Sequence, residues 1–229
     1  MRLNNKHIVI ACDGGAATGK STGAKMISKK YKLKFLSSGL LYRYAGYVFL
    51  KYKPKNKISF LRNKIKKLKY KDLNKMNLYT PEISSQSAII AKVSEIRKVL
   101  KSYQIKFSKK YKSCCIEGRD ISSKILPNAD VKFFFKCNLE KASLRRYKEL
   151  KKKHRKIKFK DVKKALRIRN NHDIKRKNSP LLKVRDAIEI DTGKLNKKAM
   201  LEKMSKYVDK AINLKYGNWI RVKKYKSTS

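Results

Sequence analysis

A glycine-rich stretch near the start of the chain carries residue types that hold phosphate. Gly14 is followed, after four residues, by Gly19, Lys20 and Ser21, which matches G-x-x-x-x-G-K-[ST]. In such a loop successive backbone N–H groups point at a phosphate, the lysine bridges the β- and γ-phosphates, and the serine hydroxyl ligates Mg²⁺. The stretch follows the apolar run 7–12 and opens a helical pattern. The sequence therefore predicts a nucleoside triphosphate site rather than a glycine-rich turn without a ligand.

We expect the whole loop and the start of the following helix to contact ATP. The residues are Gly14, Gly15, Ala16, Ala17, Thr18, Gly19, Lys20, Ser21 and Thr22. We expect the hydroxyl of Ser21 to ligate Mg²⁺, which the phosphates of ATP would bind as well. The loop does not identify the group that receives the phosphate, so that group has to be sought elsewhere in the chain.

Three further stretches suit a phosphorylated acceptor. They are SSGLLYR at 37–43, EGRDIS at 117–122 and RNNHDIKR at 169–176. The second lies at the carboxyl end of a predicted strand, where open α/β sheets bind ligands. In the third, Arg169, Asp173 and Arg176 recur at i, i+4 and i+7, which places them on one face of a helix. That spacing also fits an exposed helix with ion pairs, so it does not by itself define a site.

Arginine is scarce in this chain, and its positions are informative. Of the 63 basic residues 50 are Lys and only 13 are Arg, so most surface cations are lysines. A planar guanidinium binds phosphate with two parallel hydrogen bonds, which lysine does not reproduce. Seven of the 13 arginines lie in the candidate motifs or the basic segment 141–185: Arg43, Arg97, Arg119, Arg145, Arg146, Arg169 and Arg176. These positions favour a site built for anions.

The overall charge is extreme, with a formal net charge of +47. A nucleic-acid surface is one explanation. A compositional drift toward lysine, asparagine, isoleucine and tyrosine, as A/T-rich codons produce, explains much of the excess without any partner. Positive charge is more concentrated in segment 141–185, which has 20 Lys or Arg and only three Asp or Glu. It is either a solvated helical face or a mobile element that meets polyanions.

The cysteines and the N-terminus indicate a cytoplasmic protein. Cys12, Cys114, Cys115 and Cys137 lie in or beside apolar runs without C-x-x-C spacing. We interpret them as core thiols in a reducing compartment rather than as disulfides or metal ligands. No signal region precedes the first strand, and no apolar run reaches transmembrane length.

Short apolar runs alternate with helical patterns along the chain, which predicts α/β architecture with a parallel sheet covered on both faces. The predicted strands are 7–12, 32–37, 113–118, 131–136 and 187–191. The predicted helices are near 20–31, 40–52, 83–110, 139–152, 159–176 and 194–214. The Lys-rich stretch 53–78 has no clear pattern, and the C-terminal tail is expected outside the sheet.

Five motifs, in order along residues 7–212, resemble bacterial cytidylate kinase, a nucleoside monophosphate kinase family. They are the phosphate loop, SSGLLYR, YTPEI…IR, EGRDI…LPNADVKFF followed by RR, and RxxxDxxR before SPL. The resemblance implies a P-loop NTPase fold of three layers, α/β/α, around a five-stranded parallel sheet. It implies one domain over 1–229, with an acceptor-binding insertion at about 43–97 and a basic lid at about 145–165. The implied reaction is phosphorylation of CMP and dCMP by ATP with Mg²⁺.

Residue roles follow from the same resemblance. Those implied for CMP binding are Ser38, Tyr42, Arg43, Arg97, Arg119, Asp120, Arg169, Asp173 and Arg176. Among these, Arg43, Arg119 and Arg176 would bind the phosphate, and Arg169 and Asp173 the ribose. Arg97 and Asp120 would read cytosine, whose N4 amino group a carboxylate accepts. The implied catalytic residues are Lys20, Arg119, Arg146 and Arg176, and the implied lid also includes Arg145 and Arg155.

The chain departs from the family pattern at several positions. Gly15 and Ala17 stand where the family has Pro and Gly, and Ala17 adds a Cβ where a positive φ is expected. Ser37 replaces an Asp, and Ala88 replaces a base-contacting Ser that Ser85 or Ser87 would have to supply. The insertion between Arg43 and Thr80 is short and lacks strand pattern, so we expect helices there. Either Asp13 or Glu117 is expected to organise the Mg²⁺ waters.

Two other classes of protein remain as alternatives. One is another small phosphate-loop kinase that acts on UMP, AMP or shikimate. The other is a basic nucleic-acid-binding module, for which segment 141–185 offers only Tyr147 and Phe159 and no stacking pattern. We therefore expect ATP and CMP or dCMP as partners, no nucleic acid and no membrane, and the family resemblance implies a monomer.

Overall fold

A computed structural model describes residues 6–152 and 156–217. Within them lie five strands: β1 Val9–Gly14, β2 Lys34–Ser37, β3 Cys114–Gly118, β4 Val131–Lys136 and β5 Ile188–Asp191. The α-helices are α1 Lys20–Lys30, α2 Ser38–Tyr52, α3 Lys57–Lys67, α4 Pro81–Ile90, α5 Ser94–Lys110, α6 Leu139–Lys151, α7 Phe159–Lys175 and α8 Lys197–Tyr216. All five predicted strands are confirmed. None of the helices in these ranges has the length and apolar character that a membrane crossing requires.

The five strands form one parallel sheet in the order β2-β3-β1-β4-β5. β1 is central and pairs with β3 on one side and β4 on the other, with Ile10 opposite both Cys115 and Val131. Because all strands run the same way, their carboxyl ends meet at one edge of the sheet. The phosphate loop after β1 and the EGRD stretch at the end of β3 therefore lie side by side.

Apolar side chains bury both faces of the sheet, which gives the three layers that the sequence predicts. On one face Ile10, Phe133 and Phe135 pack with α1 and α8. On the other face Ala11, Leu36 and Ile116 pack with α2, α3 and α5. These strand residues are at most 1% exposed. The sheet is thus a rigid base from which the loops at its carboxyl edge project.

The insertion after α2 is helical, as expected, but the predicted helix 83–110 is wrong as a single element. The chain forms α4 and α5 instead, with a break at Ala91–Val93 where Val93 is extended (φ −84°, ψ 117°). The carbonyl of Ala91 accepts a hydrogen bond at 3.2 Å from Nη1 of Arg97. The break therefore helps to position an arginine that the sequence assigns to base recognition. The unassigned stretch 53–78 forms α3 and a 3₁₀ turn at Tyr70–Asn74.

The segment predicted as a lid, 145–165, spans the end of α6, the connection and the start of α7. The two helices pack against each other, with Tyr147 and Phe159 in edge-to-face contact at 5.8 Å between ring centroids. Arg155, the third predicted lid arginine, lies outside the described residues, as does the tail from 218 onward.

Candidate active site

The phosphate loop joins the buried end of β1 to the first turn of α1. Gly19 precedes the helix with φ +78°, and Ala17 has φ +58°. The positive φ expected at Ala17 is therefore confirmed, at a cost of about 1–2 kcal/mol for a residue with a Cβ. Packing of Ala17 against the small apolar cluster of Ala16, Ala142 and Leu166 offsets part of this cost. The loop thus packs against the first turn of α6 and the middle of α7.

Hydrogen bonds within and around the loop fix its shape. The hydroxyl of Thr18 donates to the carbonyl of Gly15 at 3.0 Å, and the hydroxyl of Thr192 donates to the carbonyl of Thr18 at 2.8 Å. Arg145 donates to the hydroxyl and carbonyl oxygens of Thr192 at 2.8 and 2.6 Å. The predicted lid arginine therefore reaches the phosphate loop through a threonine at the carboxyl end of β5. Sequence reasoning missed Thr192, although its place after a predicted strand end was a usable signal.

A second contact that sequence reasoning missed comes from α7. The side-chain oxygen of Asn170 accepts a hydrogen bond at 3.0 Å from the backbone N–H of Ala16. A Cβ at Gly15 would lie 3.2 Å from the same oxygen. The glycine that replaces the family's proline therefore leaves room for Asn170 beside the loop.

Lys20 and Glu117 form a buried ion pair, and the hydroxyl of Ser37 donates to the second oxygen of Glu117. Burial alone would raise the pKa of Glu117, but the charge and hydrogen bond of Lys20, together with Ser37, lower it overall. Glu117 is therefore a carboxylate, and Ser37 adds a donor where the family has a second acid. The carboxylate holds the ammonium of Lys20 at the mouth of the phosphate loop.

Asp13, the other acid considered for Mg²⁺, has a different task. Its oxygens accept from the backbone N–H groups of Ile121 and Ser122 at 2.8 and 2.7 Å and from the hydroxyl of Ser122 at 2.5 Å. Burial still raises its pKa, against these hydrogen bonds. Asp13 therefore holds the turn Ile121–Ile125, which follows Arg119 and Asp120 directly. Of the two acids, Glu117 is the one that faces the triphosphate loop.

Arg119, which follows β3, and Arg176, which follows α7, meet on Asp173. Nε of Arg119 donates to one oxygen of Asp173 at 2.8 Å, and Nη1 of Arg176 donates to the other at 3.3 Å. Nε of Arg176 also donates to the carbonyl of Ser179 at 2.6 Å. Asp173 of the predicted α7 face is therefore turned toward the end of β3 and pairs with Arg119 across the cleft, whereas its pair with Arg176 is local (i, i+3). The helix ends at Lys175, so Arg176 follows the predicted face in extended conformation.

Arg169 lines the same cleft. Solvent reaches the residue, yet protein atoms surround its guanidinium, and this crowding is the first cause that lowers its pKa to about 10. The charges of Arg119, Arg43 and Arg146 lower it further, and only Asp173 opposes them. The positive charges of Arg119 after β3, Arg43 on α2 and Arg146 on α6 thus all act on Arg169 of α7. An anion among them would relieve their mutual repulsion.

The pair predicted to read the base is preformed. Nη2 of Arg97 donates to Asp120 at 2.6 Å, and the Arg97 guanidinium lies 5.6 Å from the ring centroid of Tyr42. Both partners of the pair are buried. Burial raises the pKa of Tyr42 to about 12, so its hydroxyl is neutral. Nη2 of Arg176 lies 4.0 Å from Asp120 and is buried without a hydrogen-bond partner among the described residues.

Arg43 stands at the opposite wall of the cleft. Its Nη1 donates to the carbonyl of Leu78 at 3.0 Å and to the hydroxyl of Ser84 at 2.7 Å, and its guanidinium lies 4.7 Å from the ring centroid of Tyr79. Ser38, at the start of α2, is buried against the end of β3. A Cβ at Gly118 would lie 3.1 Å from Cβ of Ser38, so this close approach requires glycine. These contacts fix the acceptor wall of the cleft.

The serine expected to replace the base contact at Ala88 is not Ser87. The Ser87 hydroxyl donates to the carbonyl of Ser84 at 2.8 Å and is committed within α4. Ala88 itself is exposed, as is Ser85. Arg97, Asp120 and Tyr42 are therefore the polar and aromatic groups gathered around the base position.

Arg146, predicted to be catalytic, pairs with Glu149 at 2.8 Å on α6. Burial is the main cause that lowers the pKa of Arg43. The charge of Arg146 lowers this pKa further, and Tyr79 opposes the shift. The lid helix and the acceptor insertion therefore face each other across the cleft. With a glycine-rich loop on one side and an arginine cluster on the other, the fold and the cleft define a phosphate-loop kinase.

The comparisons with known proteins make the class specific. The family model "Cytidylate kinase" matches residues 10–210. A cytidylate kinase of Clostridium tetani is 34% identical over 218 residues, which cover 90% of this chain and 95% of that protein. Those of Bartonella tribocorum and Rickettsia rickettsii are 34% and 32% identical, over 91% of this chain and 98% and 94% of theirs. The chain belongs to the cytidylate kinase family, as its motifs indicate.

Proposed function

We propose that the chain transfers the γ-phosphoryl group of ATP to CMP and dCMP. The observation that carries the proposal is the meeting of Arg119 and Arg176 on Asp173, at the carboxyl edge of the sheet from which the phosphate loop also projects. Burial, and then the charges of Arg119, Arg43 and Arg146, lower the pKa of Arg169, and the phosphates of two bound nucleotides would compensate these positive charges. Membership of the cytidylate kinase family supports CMP as the acceptor.

The donor side needs the loop and Lys20. Backbone N–H groups of the loop and the positive end of α1 hold the β- and γ-phosphates. The ammonium of Lys20 either moves from Glu117 to these phosphates or bridges the phosphates and Glu117. There it neutralises the charge that develops on the oxygen between the β- and γ-phosphorus atoms. Thr192 and Asn170 hold the loop in place for this task.

On the acceptor side, Arg43, Arg119 and Arg176 bind the phosphate of CMP, and Arg169 and Asp173 hold the ribose. An oxygen of that phosphate attacks the γ-phosphorus, the bond from this phosphorus to the bridging oxygen breaks, and ADP leaves. The attacking oxygen is already anionic, so no general base is needed, and catalysis rests on alignment and charge neutralisation. Arg146 stabilises the charge on the group in transfer.

The residues at the loop fit Mg²⁺ bound through nucleotide phosphates. The hydroxyl of Ser21 is exposed at the start of α1, and Glu117 lies beside Lys20. Within 6–152 and 156–217 no group of three or more His, Cys, Asp or Glu could hold a metal. Mg²⁺ that keeps its waters and binds to phosphates needs no such group, and it supplies charge neutralisation at the triphosphate.

Base selection follows from the buried pair. The Asp120 carboxylate accepts the N4 amino group of cytosine and repels the carbonyl oxygen that uracil has there. Arg97 orients this carboxylate and Tyr42 lies under the guanidinium. We further propose that the chain is a monomer, as the family resemblance implies, and that it is cytoplasmic, which its four free thiols, three of them buried, support.

A calorimetric titration with CMP and with cytidine tests the arginine cluster. Arg119→Gln is expected to weaken CMP binding by at least about tenfold, since it removes charge-assisted hydrogen bonds, and to leave cytidine binding within about twofold. Arg167→Gln is the matched control, because Arg167 is exposed on the same helix as Arg169. Equal losses for CMP and cytidine, or equal losses in both variants, would contradict the proposed phosphate site.

A further inference from the structure

A large groove lies on the acceptor insertion, among residues that the kinase mechanism does not use. Its cavity volume is about 860 Å³, and α3, the 3₁₀ turn after it and α5 form its walls. The catalytic and substrate residues proposed above do not line it. A cavity of this size is in the range of ligand-binding sites.

Cations stand on both walls of the groove. Arg62, Lys66 and Lys69 come from the α3 side, and Lys98, Lys106 and Lys110 come from α5. No acidic side chain lines the groove in the described part of the chain. The three α5 lysines follow one helix face, and Lys98 and Lys110 are about 18 Å apart along the axis at 1.5 Å per residue. This row is longer than the phosphate chain of one nucleotide.

The groove also has an aromatic wall. Tyr70, Tyr103 and Tyr111 are half-buried around the buried Phe107. The ring centroids of Tyr70 and Tyr111 lie 5.3 Å apart, and those of Phe107 and Tyr111 lie 4.8 Å apart. The Tyr103 hydroxyl donates to the carbonyl of Leu68 at 3.2 Å, which ties α5 to the opposite wall. The aromatic rings are therefore fixed before any ligand binds.

Lysines alone would not identify a site, because 50 of the 229 residues are Lys. The compositional drift that spreads lysine over the surface does not explain a groove in which aromatic rings and cations from two walls lie together. Aromatic faces that stack bases, set in a positively charged groove that follows a backbone, are the two parts of a single-strand binding site. The groove combines both parts.

We propose that this groove binds single-stranded nucleic acid, with bases against Tyr70, Tyr103 and Tyr111 and phosphates along the lysines of α5. The proposal departs from the expectation of no nucleic-acid partner, which rested on the lack of a stacking pattern in 141–185. Here the rings come from two distant places in the chain, Tyr70 and segment 103–111, that only the fold brings together. The site goes beyond the kinase activity and is independent of it.

Fluorescence anisotropy with a labelled uridine octamer and the full chain tests the proposal. The double variant Lys66→Glu, Lys106→Glu is expected to weaken binding at least tenfold and to lower the slope of log Kd against log salt by about 1.4, the value for two single-strand phosphate contacts. Lys203→Glu, Lys206→Glu on α8 makes the same change of net charge at exposed positions and is expected to have less than a threefold effect. Both double variants should keep their kinase activity.

A second pair of variants tests the rings. Tyr111→Leu keeps an apolar side chain and is expected to weaken octamer binding at least about fivefold, the scale of one lost base stack. Tyr207→Leu on α8 is the control. Equal losses in the two charge-reversal variants, no octamer binding at 25 mM salt, or displacement of the octamer by saturating ATP and CMP would each overturn the proposal. None of these results would affect the proposed kinase function, which is measured without the octamer.

Discussion

The side-chain oxygen of Asn170 accepts a hydrogen bond at 3.0 Å from the backbone N–H of Ala16, across 154 residues of sequence. Asn170 is next to Arg169 on α7, the helix that also carries Asp173 and ends just before Arg176. One helix therefore contacts the donor loop with one residue and lines the acceptor cleft with two, and Arg176 caps its C-terminus. A shift of α7 on acceptor binding would therefore change the hydrogen bond that α7 makes to the phosphate loop.

Asn170 is accordingly expected to act as a positioning residue for the donor loop. Asn170→Ala removes one hydrogen bond, worth about 1 kcal/mol, so KM for ATP is expected to rise about fivefold. KM for CMP and the melting temperature are expected to stay nearly unchanged, as steady-state kinetics and a thermal melt will show. Asn171→Ala is the matched control, because Asn171 is the exposed neighbour on the same helix. A rise in both KM values, or the same effect in the control, would mean that Asn170 only stabilises α7.

Lys20 is expected to act on the transition state. Lys20→Met removes the ammonium at the loop and is expected to lower kcat at least about 100-fold, the scale of losing one donor that stabilises developing charge. Because the variant also leaves the buried Glu117 carboxylate without its cation, a thermal melt should accompany the kinetics. Lys29→Met, at an exposed position of the same helix, should be nearly neutral. A folded Lys20→Met variant with near-normal kcat would exclude this role.

Asp120 is expected to discriminate CMP from UMP. Asp120→Asn places an amide that can donate to the O4 of uracil, so the ratio of kcat/KM for CMP over UMP is expected to fall at least about tenfold. Competition assays with both nucleotides measure this ratio directly. Asp186→Asn, an exposed carboxylate paired with Lys132, is the control. An unchanged ratio in Asp120→Asn would place base selection elsewhere in the cleft.

Glu117 is expected to make stability depend on pH. Its pKa is lowered below the usual 4.5 in the folded chain, so its ionised form contributes stability above that pH, and the contribution is lost as the pH falls through the lowered value. The free-energy difference between the wild type and Glu117→Gln, from urea unfolding, is therefore expected to stay constant above about pH 5 and to shrink as the pH falls from 5 to 3. The exposed Glu202→Gln gives the reference. A difference that stays constant over this range would mean that the Lys20 pair does not lower the pKa of Glu117.

Local patterns predicted most of the fold. The five strands are short apolar runs bounded by polar residues, and all residues of the phosphate loop are consecutive in the chain. Both can therefore be predicted from local sequence. The break at Ala91–Val93 was missed because apolar residues keep helical spacing across it and no Gly or Pro marks it. At the break the carbonyl oxygen of Ala91 accepts from Arg97, six residues further on, a side-chain contact that apolar spacing does not reveal.

The site was predictable where side chains belong to compact motifs. Arg119, Asp120 and the α7 face were identified in this way, and the structure brings them together on Asp173 and Arg97. The contacts of Thr192 and Asn170 with the phosphate loop join residues 174 and 154 positions apart. Such pairings depend on where the carboxyl ends of parallel strands meet, which no local pattern contains.

The central claim is tested most directly by ADP formation from Mg·ATP with CMP, dCMP, UMP, AMP and shikimate offered separately. The account predicts strong turnover of CMP and dCMP, weaker turnover of UMP because Asp120 repels its carbonyl, and little with AMP or shikimate. A purified, folded chain that turns over AMP or shikimate in preference to CMP, or that fails to turn over CMP at all, would contradict it.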